Sequence, residues 1–329
     1  MKHDLTGHRQ ESVRDDALQA GRGLLMGAAD IIPGVSGGTV ALILGIYNRL
    51  VTAISRVDGT LVGHVRHRRW RAAAKHIDLR FLIALSLGIV TGIASLGSLM
   101  HWLLENQRQH TLAAFFGLIA ASSFLVGRLI HRWSPAVTAL LVAGAAGAVW
   151  IVRQPALTHP PDALWYVFFC GVLGICAMIL PGISGAFILL ILGKYHDLTG
   201  IIKDTLKLHI TADNIATVVV FAAGCALGLI GFSKFLRWLL GRHESETMAV
   251  LCGFMLGSLW KIWPYQRDLT PQVSEFKLKE FELVPAGEIA IDGRFWTTIA
   301  VMIAAGGFVL ILDRVSGGRR VDESLPTAN

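Results

Sequence analysis

Residues 33–50 read PGVSGGTVALILGIYNRL, and residues 181–198 read PGISGAFILLILGKYHDL. Ten of these eighteen positions are identical at an offset of 148. The likeness resumes downstream at an offset of 136, where Gly88, Gly92, Trp102, Leu103, Leu104, Thr111, Ala113 and Gly117 face Gly224, Gly228, Trp238, Leu239, Leu240, Thr247, Ala249 and Gly253. Agreement on this scale marks an internal duplication. A further pair of segments, 145–152 and 305–312, is too plain to align from the letters.

Each copy opens on an apolar stretch interrupted by Pro-Gly-x-Ser-Gly. Proline removes a backbone donor and collides with the preceding turn, and glycine permits conformations a helix cannot hold. Residues 17–54 and 163–195 therefore read as re-entrant hairpins, each of two short helices meeting at the break. A proline-kinked helix passing straight through is the alternative. Irregular backbone at membrane depth is tolerated only where protein or a polar cavity surrounds it.

The surrounding chain is built for lipid. Of its 329 residues, 53% are apolar and 16% charged, and mean hydropathy is +0.56. Segments 79–104, 111–130, 215–238, 248–263 and 296–312 are near the length needed to cross hydrocarbon, about 20 residues, and carry no regular polar stripe. Residues 1–22 are charged, with no small-residue cleavage site after them, and read as a cytoplasmic extension rather than a signal peptide. All four cysteines lie within apolar runs and read as small buried hydrophobes. No metal-ligand spacing, catalytic triad or nucleotide-binding loop can be assembled, so neither a metal nor a cofactor is expected. The net charge of +7 sits in loops, which favours membrane orientation over nucleic acid.

The fold expected is an all-α polytopic membrane protein of two inverted-topology repeats, each a re-entrant hairpin plus three transmembrane helices. A hairpin returns the chain to its starting side, and three spans then carry it across, so the second copy lies upside down. The expected division is a cytoplasmic tail 1–16, repeat 1 over 17–155 with a basic loop 55–78, repeat 2 over 156–313 with an acidic external loop 265–294, and a second tail 314–329. Loop charge agrees. Residues 49–80 carry eight basic side chains against Asp58 and Asp78, which marks the cytoplasm, whereas 265–294 has six acids against four bases. Both termini then fall in the cytoplasm.

The chemistry of the breaks points to an anion. Ser36 is placed to cap a helix beginning at Gly37, Gly38 and Thr39. Its first N–H groups lack intrahelical partners, and the helix dipole adds about half a positive charge there. Glycine at 37 and 38 lets a phosphate approach the backbone, with the Ser36 and Thr39 hydroxyls beside it. Ser184, Gly185 and Ala186 offer the mirror-related half, so these seven are the expected phosphate-binding residues. Pro33, Gly34, Pro181 and Gly182 make the breaks. Close helix packing is the bland account of such glycines. Asp30, with Met178 at its place in the second copy, either carries a coupling proton or sodium ion or caps the broken backbone. Arg49 and Lys194, at the hairpin ends, either meet an arriving phosphate or snorkel to the interface. Lys261, between Trp260 and Trp263, reads as an interfacial anchor.

The segments MGAADIIPGVSGGTVALILGIYNRL and LPGISGAFILLILGKYHDL resemble a bacterial membrane family now assigned as undecaprenyl phosphate translocases. The resemblance covers about residues 17–315. It implies that undecaprenyl phosphate, the lipid carrier of cell-envelope sugars, is returned from the outer to the inner leaflet of the cytoplasmic membrane, with membrane lipids as the other partner. The motif is also similar to that of undecaprenyl pyrophosphate phosphatases, but Gly37 and Gly185 stand where that family's arginine belongs. A transporter of a small soluble anion is the remaining reading.

Overall fold

Gly23 and Gly88 set the distance between the first two long helices. The computed structural model describes residues 13–31, 36–206, 211–270, 272, 279 and 281–315. Within them α1 (Val13–Asp30) lies along α6 (Leu79–Asn106). A Cβ on Gly23 would stand 2.1 Å from the Leu85 carbonyl oxygen, and one on Gly88 would stand 2.0 Å from that of Ala20. The two backbones touch, and only glycine permits it. Such small-residue seams replace the hydrophobic drive that lipid removes.

The second half repeats the seam contact for contact. There α9 (Leu164–Ile179) lies along α12 (Ala212–Arg242). Gly171 meets the Phe221 oxygen at 2.5 Å, and Gly224 meets that of Phe168 at 2.2 Å. These four residues are Gly23, Leu85, Gly88 and Ala20 moved by the offsets read from the sequence, 148 on the first helix and 136 on the second.

The remaining long helices exchange partners between the halves. α7 (Arg108–Arg128) packs on α14 (Gly293–Val315), and α13 (Glu244–Ser258) packs on α8 (Pro135–Val152). A Cβ on Gly117 would be 2.1 Å from the Met302 oxygen, and one on Gly253 would be 2.3 Å from that of Leu141. Since 253 is 117 plus 136, the third helices align at 302 minus 141, an offset of 161. Packing supplies the register that composition hid. Each half completes its bundle with a helix of the other.

Among the described residues, five helices are long and apolar enough to span: α6, α7, α8, α12 and α14. The sixth expected span, 248–263, is shorter. Its helix α13 ends at Ser258 after 15 residues, a rise of about 22 Å. Leu251, Cys252 and Met255 are 2% exposed or less, so α13 is walled by protein and need not match the bilayer.

Each hairpin holds three helices rather than two. After α1 come α2 (Gly37–Ile43) and α3 (Tyr47–Ser55), bent 118° apart. After α9 come α10 (Gly185–Ile191) and α11 (Tyr195–Leu206). The extra corner falls at Gly45 (φ +69°) and Gly193 (φ +71°), 148 apart. Ile46 N–H reaches back to the Ala41 oxygen, and Lys194 N–H to that of Leu189, the glycine stop that ends many helices. The repeated Leu-Gly-x-Tyr carries this corner.

Two expected loops have structure. The basic stretch 55–78 forms α4 (Gly59–Arg66), capped by Asp58 on the Leu61 N–H, and α5 (Trp70–His76). The acidic loop 265–294 contains an antiparallel pair, β1 (Gln266–Asp268) with β2 (Phe281–Leu283), so the protein is not strictly all-α. Arg108, at the start of α7, lies 3.2 Å from the Phe281 ring centroid and pins this hairpin over the α6–α7 turn.

Candidate functional site where the two breaks meet

Pro33 and Gly34 lie outside the described residues; the rest of the site is in view. α2 begins at Gly37, as its letters require. Ser36 caps it, its oxygen accepting from the Gly38 N–H at 3.1 Å. The same hydroxyl donates to the Met178 carbonyl at 3.2 Å. Thr39 accepts from the Gly182 N–H at 2.8 Å, and the Tyr47 hydroxyl donates to the Ile179 carbonyl at 3.0 Å. A Cβ on Gly38 would fall 2.7 Å from the Ile179 oxygen. The first break is thus pressed directly onto the second.

Burial makes these bonds matter. Ser36 is 1% exposed and Thr39 is fully buried. Gly182 has φ +87°, and a Cβ there would stand 2.6 Å from the Phe254 oxygen, so no other residue fits without moving α13. Both first-copy hydroxyls are spent on the backbone of the second copy in this arrangement.

The second copy does not mirror the first. Asp30 accepts from the Gly37 N–H at 2.6 Å, so a carboxylate already stands at the start of α2. Met178 takes the equivalent place, and a Cβ on Gly185 would be 2.4 Å from its Cγ. Ser184 makes no side-chain cap bond to α10. Five of the seven residues of α2 are buried, but only Gly185 of α10. Ser184 and Ala186 are half-buried, and Pro181 is buried with Gly182.

Arg49 and Lys194 are both held by carboxylates at the hairpin ends. Arg49 makes two bonds to Asp78, at 2.6 and 3.1 Å, with its guanidinium 4.3 Å from the Phe81 ring centroid. Lys194, its side chain 4% exposed, is 2.8 Å from Asp162 and 2.8 Å from Asp197. Its hydrogen bond holds the Asp162 carboxyl below the usual carboxylate range. Lys261, read from sequence as an interfacial anchor, has its ammonium 4.7 Å from the Phe187 ring centroid on α10. No pattern in the letters links 261 to 187.

A multi-pass membrane protein with two broken helices bonded tip to tip is the class this geometry defines. Residues 26–279 match the family described as VCA0040-like, undecaprenyl phosphate translocase-like, and the chain belongs to that family. It is 41% identical over 253 residues to a polyprenyl-phosphate transporter of Vibrio cholerae, covering 77% of this chain and 79% of that one. A polyprenyl-phosphate transporter of Staphylococcus aureus is 32% identical over 254 residues, covering 74% and 84%. No solved structure matches the chain.

Proposed function

We propose that this protein carries the phosphate headgroup of undecaprenyl phosphate across the bacterial cytoplasmic membrane, from outer to inner leaflet, by alternating access around the joined breaks. The observation that carries this reading is the bonded contact of the two Pro-Gly-x-Ser-Gly segments, Ser36 to Met178 and Thr39 to Gly182. An unpaired phosphate in hydrocarbon costs on the order of tens of kcal/mol, while the isoprenoid tail stays in lipid throughout. A translocase therefore needs one polar passage for the headgroup, open sideways. Paired broken helices inside a bundle supply irregular backbone where protein surrounds it.

The basic face carrying 49–80 is the cytoplasmic one on charge, and 265–294 lies outside. The two repeats then run in opposite senses. Their hairpins are in unequal environments, which is the signature expected of one state out of two. α3 lies along α12, with Tyr47, Val51 and Ala53 at most 2% exposed. Among the described residues, α11 has no comparable packing on α6. The first hairpin is shut and the second is loose. In the opposite state the roles exchange, which puts Tyr195 on the Ile31 carbonyl and Ser184 on that of Asp30, each pair being the present one shifted by 148. The passage in the observed arrangement then faces the outer leaflet.

Purified protein in liposomes should move polyprenyl phosphate between leaflets, and Ser36→Ala combined with Ser184→Ala should slow it at least tenfold. Full activity in the double variant would remove the hydroxyls from the site. Release of inorganic phosphate from polyprenyl pyrophosphate, with no lipid movement, would replace the transporter reading by the phosphatase one.

A further inference from the structure

α8 carries two apolar stripes with different uses. Val137, Gly144 and Ala148 are buried, on the side where the helix packs along α13. Beside them Val142, Ala145, Ala146 and Val149, recurring at helical spacing, wall a groove of about 690 Å³ together with Leu256 and Gly257 of α13. Close packing shuts its floor, since a Cβ on Gly257 would stand 2.4 Å from the Ala145 oxygen. Val142 and Ala146 are exposed, so the groove opens away from the bundle, toward lipid.

The two helices run in the same sense, Gly144 lying on Val250 and Gly257 on Ala145, so both end on the face that carries β1 and β2. There the groove turns polar. Arg153 follows α8, its N–H bonded to the Val149 and Trp150 carbonyls at 3.1 and 3.2 Å, and its guanidinium lies 5.9 Å from the Trp260 ring centroid. Trp150 and Trp260 are 66% and 45% exposed, as rings of a headgroup belt are. Gln154 donates to the Trp150 carbonyl at 2.9 Å, which leaves the charge of the rim to Arg153. Arg49 and Lys194 hold carboxylates. Among the described residues Arg153 holds none, and its side chain is exposed. From Val142 to Arg153 the helix rises about 16 Å, half of the roughly 30 Å hydrocarbon core. The groove is one leaflet deep, with a cation where the headgroups begin. Leu256 and Gly257 directly follow Phe254 and Met255, on which Gly182 rests. α13 therefore has the groove on one side and the second break on another.

We propose that the α8–α13 groove docks polyprenyl phosphate from the outer leaflet, its isoprenoid chain against Ala145 and Ala146 and its phosphate on Arg153, before the headgroup passes to the breaks. A guanidinium meets terminal phosphate oxygens through two parallel N–H···O bonds, and an apolar groove meets a hydrocarbon chain. A phosphate monoester of a long prenol joins both in one molecule. The small side chains at 145 and 146 leave notches between Val142 and Val149 for its methyl branches. The assignment rests on the translocase reading and orientation above, and adds where the lipid is first held.

Photolabelling of the wild-type protein tests it without a variant. Polyprenyl phosphate with a diazirine in the isoprene units next to the phosphate, in phosphatidylcholine liposomes, should label peptides that contain residues 142–153 or 256–260. Excess unlabelled polyprenyl phosphate should cut that labelling at least fivefold, while the same excess of phosphatidylglycerol, polyprenol or inorganic phosphate leaves it within about twofold. Equal protection by phosphatidylglycerol would make the groove a seat for bulk lipid. Equal protection by polyprenol would remove Arg153 from recognition, and equal protection by inorganic phosphate would remove the chain. Each of these overturns the proposal, as does labelling confined to other helices. Arg153→Gln should weaken polyprenyl phosphate binding at least tenfold and Arg153→Lys less. Ala146→Trp, which fills the groove from its exposed wall, should weaken it at least fivefold. Wild-type protein that moves no polyprenyl phosphate sinks the translocase reading itself; active wild type with an unlabelled groove sinks only this proposal. If a variant does not fold, the photolabelling decides.

Discussion

The hydroxyl of Thr39 accepts a hydrogen bond from the Gly182 N–H at 2.8 Å, joining positions 143 apart in the chain. Both partners are buried, so removing one leaves the other without water. Thr39→Val keeps the shape and deletes the acceptor, and should cost about 1–3 kcal/mol. Thermal unfolding in detergent measures it, and Thr39→Ser should recover most of the loss. An unchanged melting temperature in Thr39→Val would mean the two hairpins are held by packing alone.

Asp30 separates two roles by one atom. Asp30→Asn keeps an acceptor for the Gly37 N–H, whereas Asp30→Ala loses it and should destabilise by about 0.5–2 kcal/mol. The observed bond makes Asp30 a cap, so the Asn variant is expected to retain at least half of the translocation rate in liposomes. Stability near wild type combined with abolished transport in Asp30→Asn would instead make it the carrier of a coupling proton.

Tyr47 and Tyr195 are equivalent by sequence and unequal in the structure. Tyr47 is 2% exposed and bonded to the Ile179 carbonyl, while Tyr195 is half-buried. Tyr47→Phe should lower hydrogen-exchange protection in α3 by about fivefold, because the closed hairpin loses a bond worth about 1 kcal/mol. Tyr195→Phe should leave α3 protection unchanged or raise it, since it weakens only the opposite state. The same response from both variants would contradict a two-state exchange of hairpins.

The glycine seams predict paired damage. A Cβ on Gly88 or Gly224 meets a main-chain oxygen at 2.0 or 2.2 Å, and neither helix can yield without losing its neighbour. Gly88→Ala and Gly224→Ala should each cost at least about 3 kcal/mol. Gly231, on the same helix as Gly224 with nothing within 4 Å, is the control. Gly231→Ala should stabilise by up to about 1 kcal/mol. Folded yield and melting temperature of the three variants report it.

The clamp on Lys194 predicts where pH acts. Lys194 depresses the Asp162 carboxyl, so the pair's contribution is fully present above the ordinary aspartate range and is lost only as pH falls through the lowered value. Wild type and Asp162→Asn should therefore differ by a constant amount from about pH 5 upward and converge below about pH 4. A difference that changes between neutral pH and about pH 8 would point to another titrating group.

Some of this protein was fixed by its letters. The duplication offsets 148 and 136 put Gly23 with Gly171 and Gly88 with Gly224, and the helix seams follow them residue by residue. Apolar runs that long admit only helices in lipid, because no other strand of chain satisfies its own backbone there. The start of α2 at Gly37 and its cap at Ser36 were likewise local matters of proline, glycine and a hydroxyl. What only tertiary structure decided was which groups meet across the chain. The third-helix offset of 161, the bond from Thr39 to Gly182, the carboxylate of Asp30 on Gly37 and the reach of Lys261 to Phe187 all depend on how helices cross between the halves. Equivalent positions also took unlike environments, with five of seven residues buried in α2 and only Gly185 in α10, because unlike neighbours meet them: the Asp30 carboxylate stands on Gly37, and the Met178 side chain stands on Gly185.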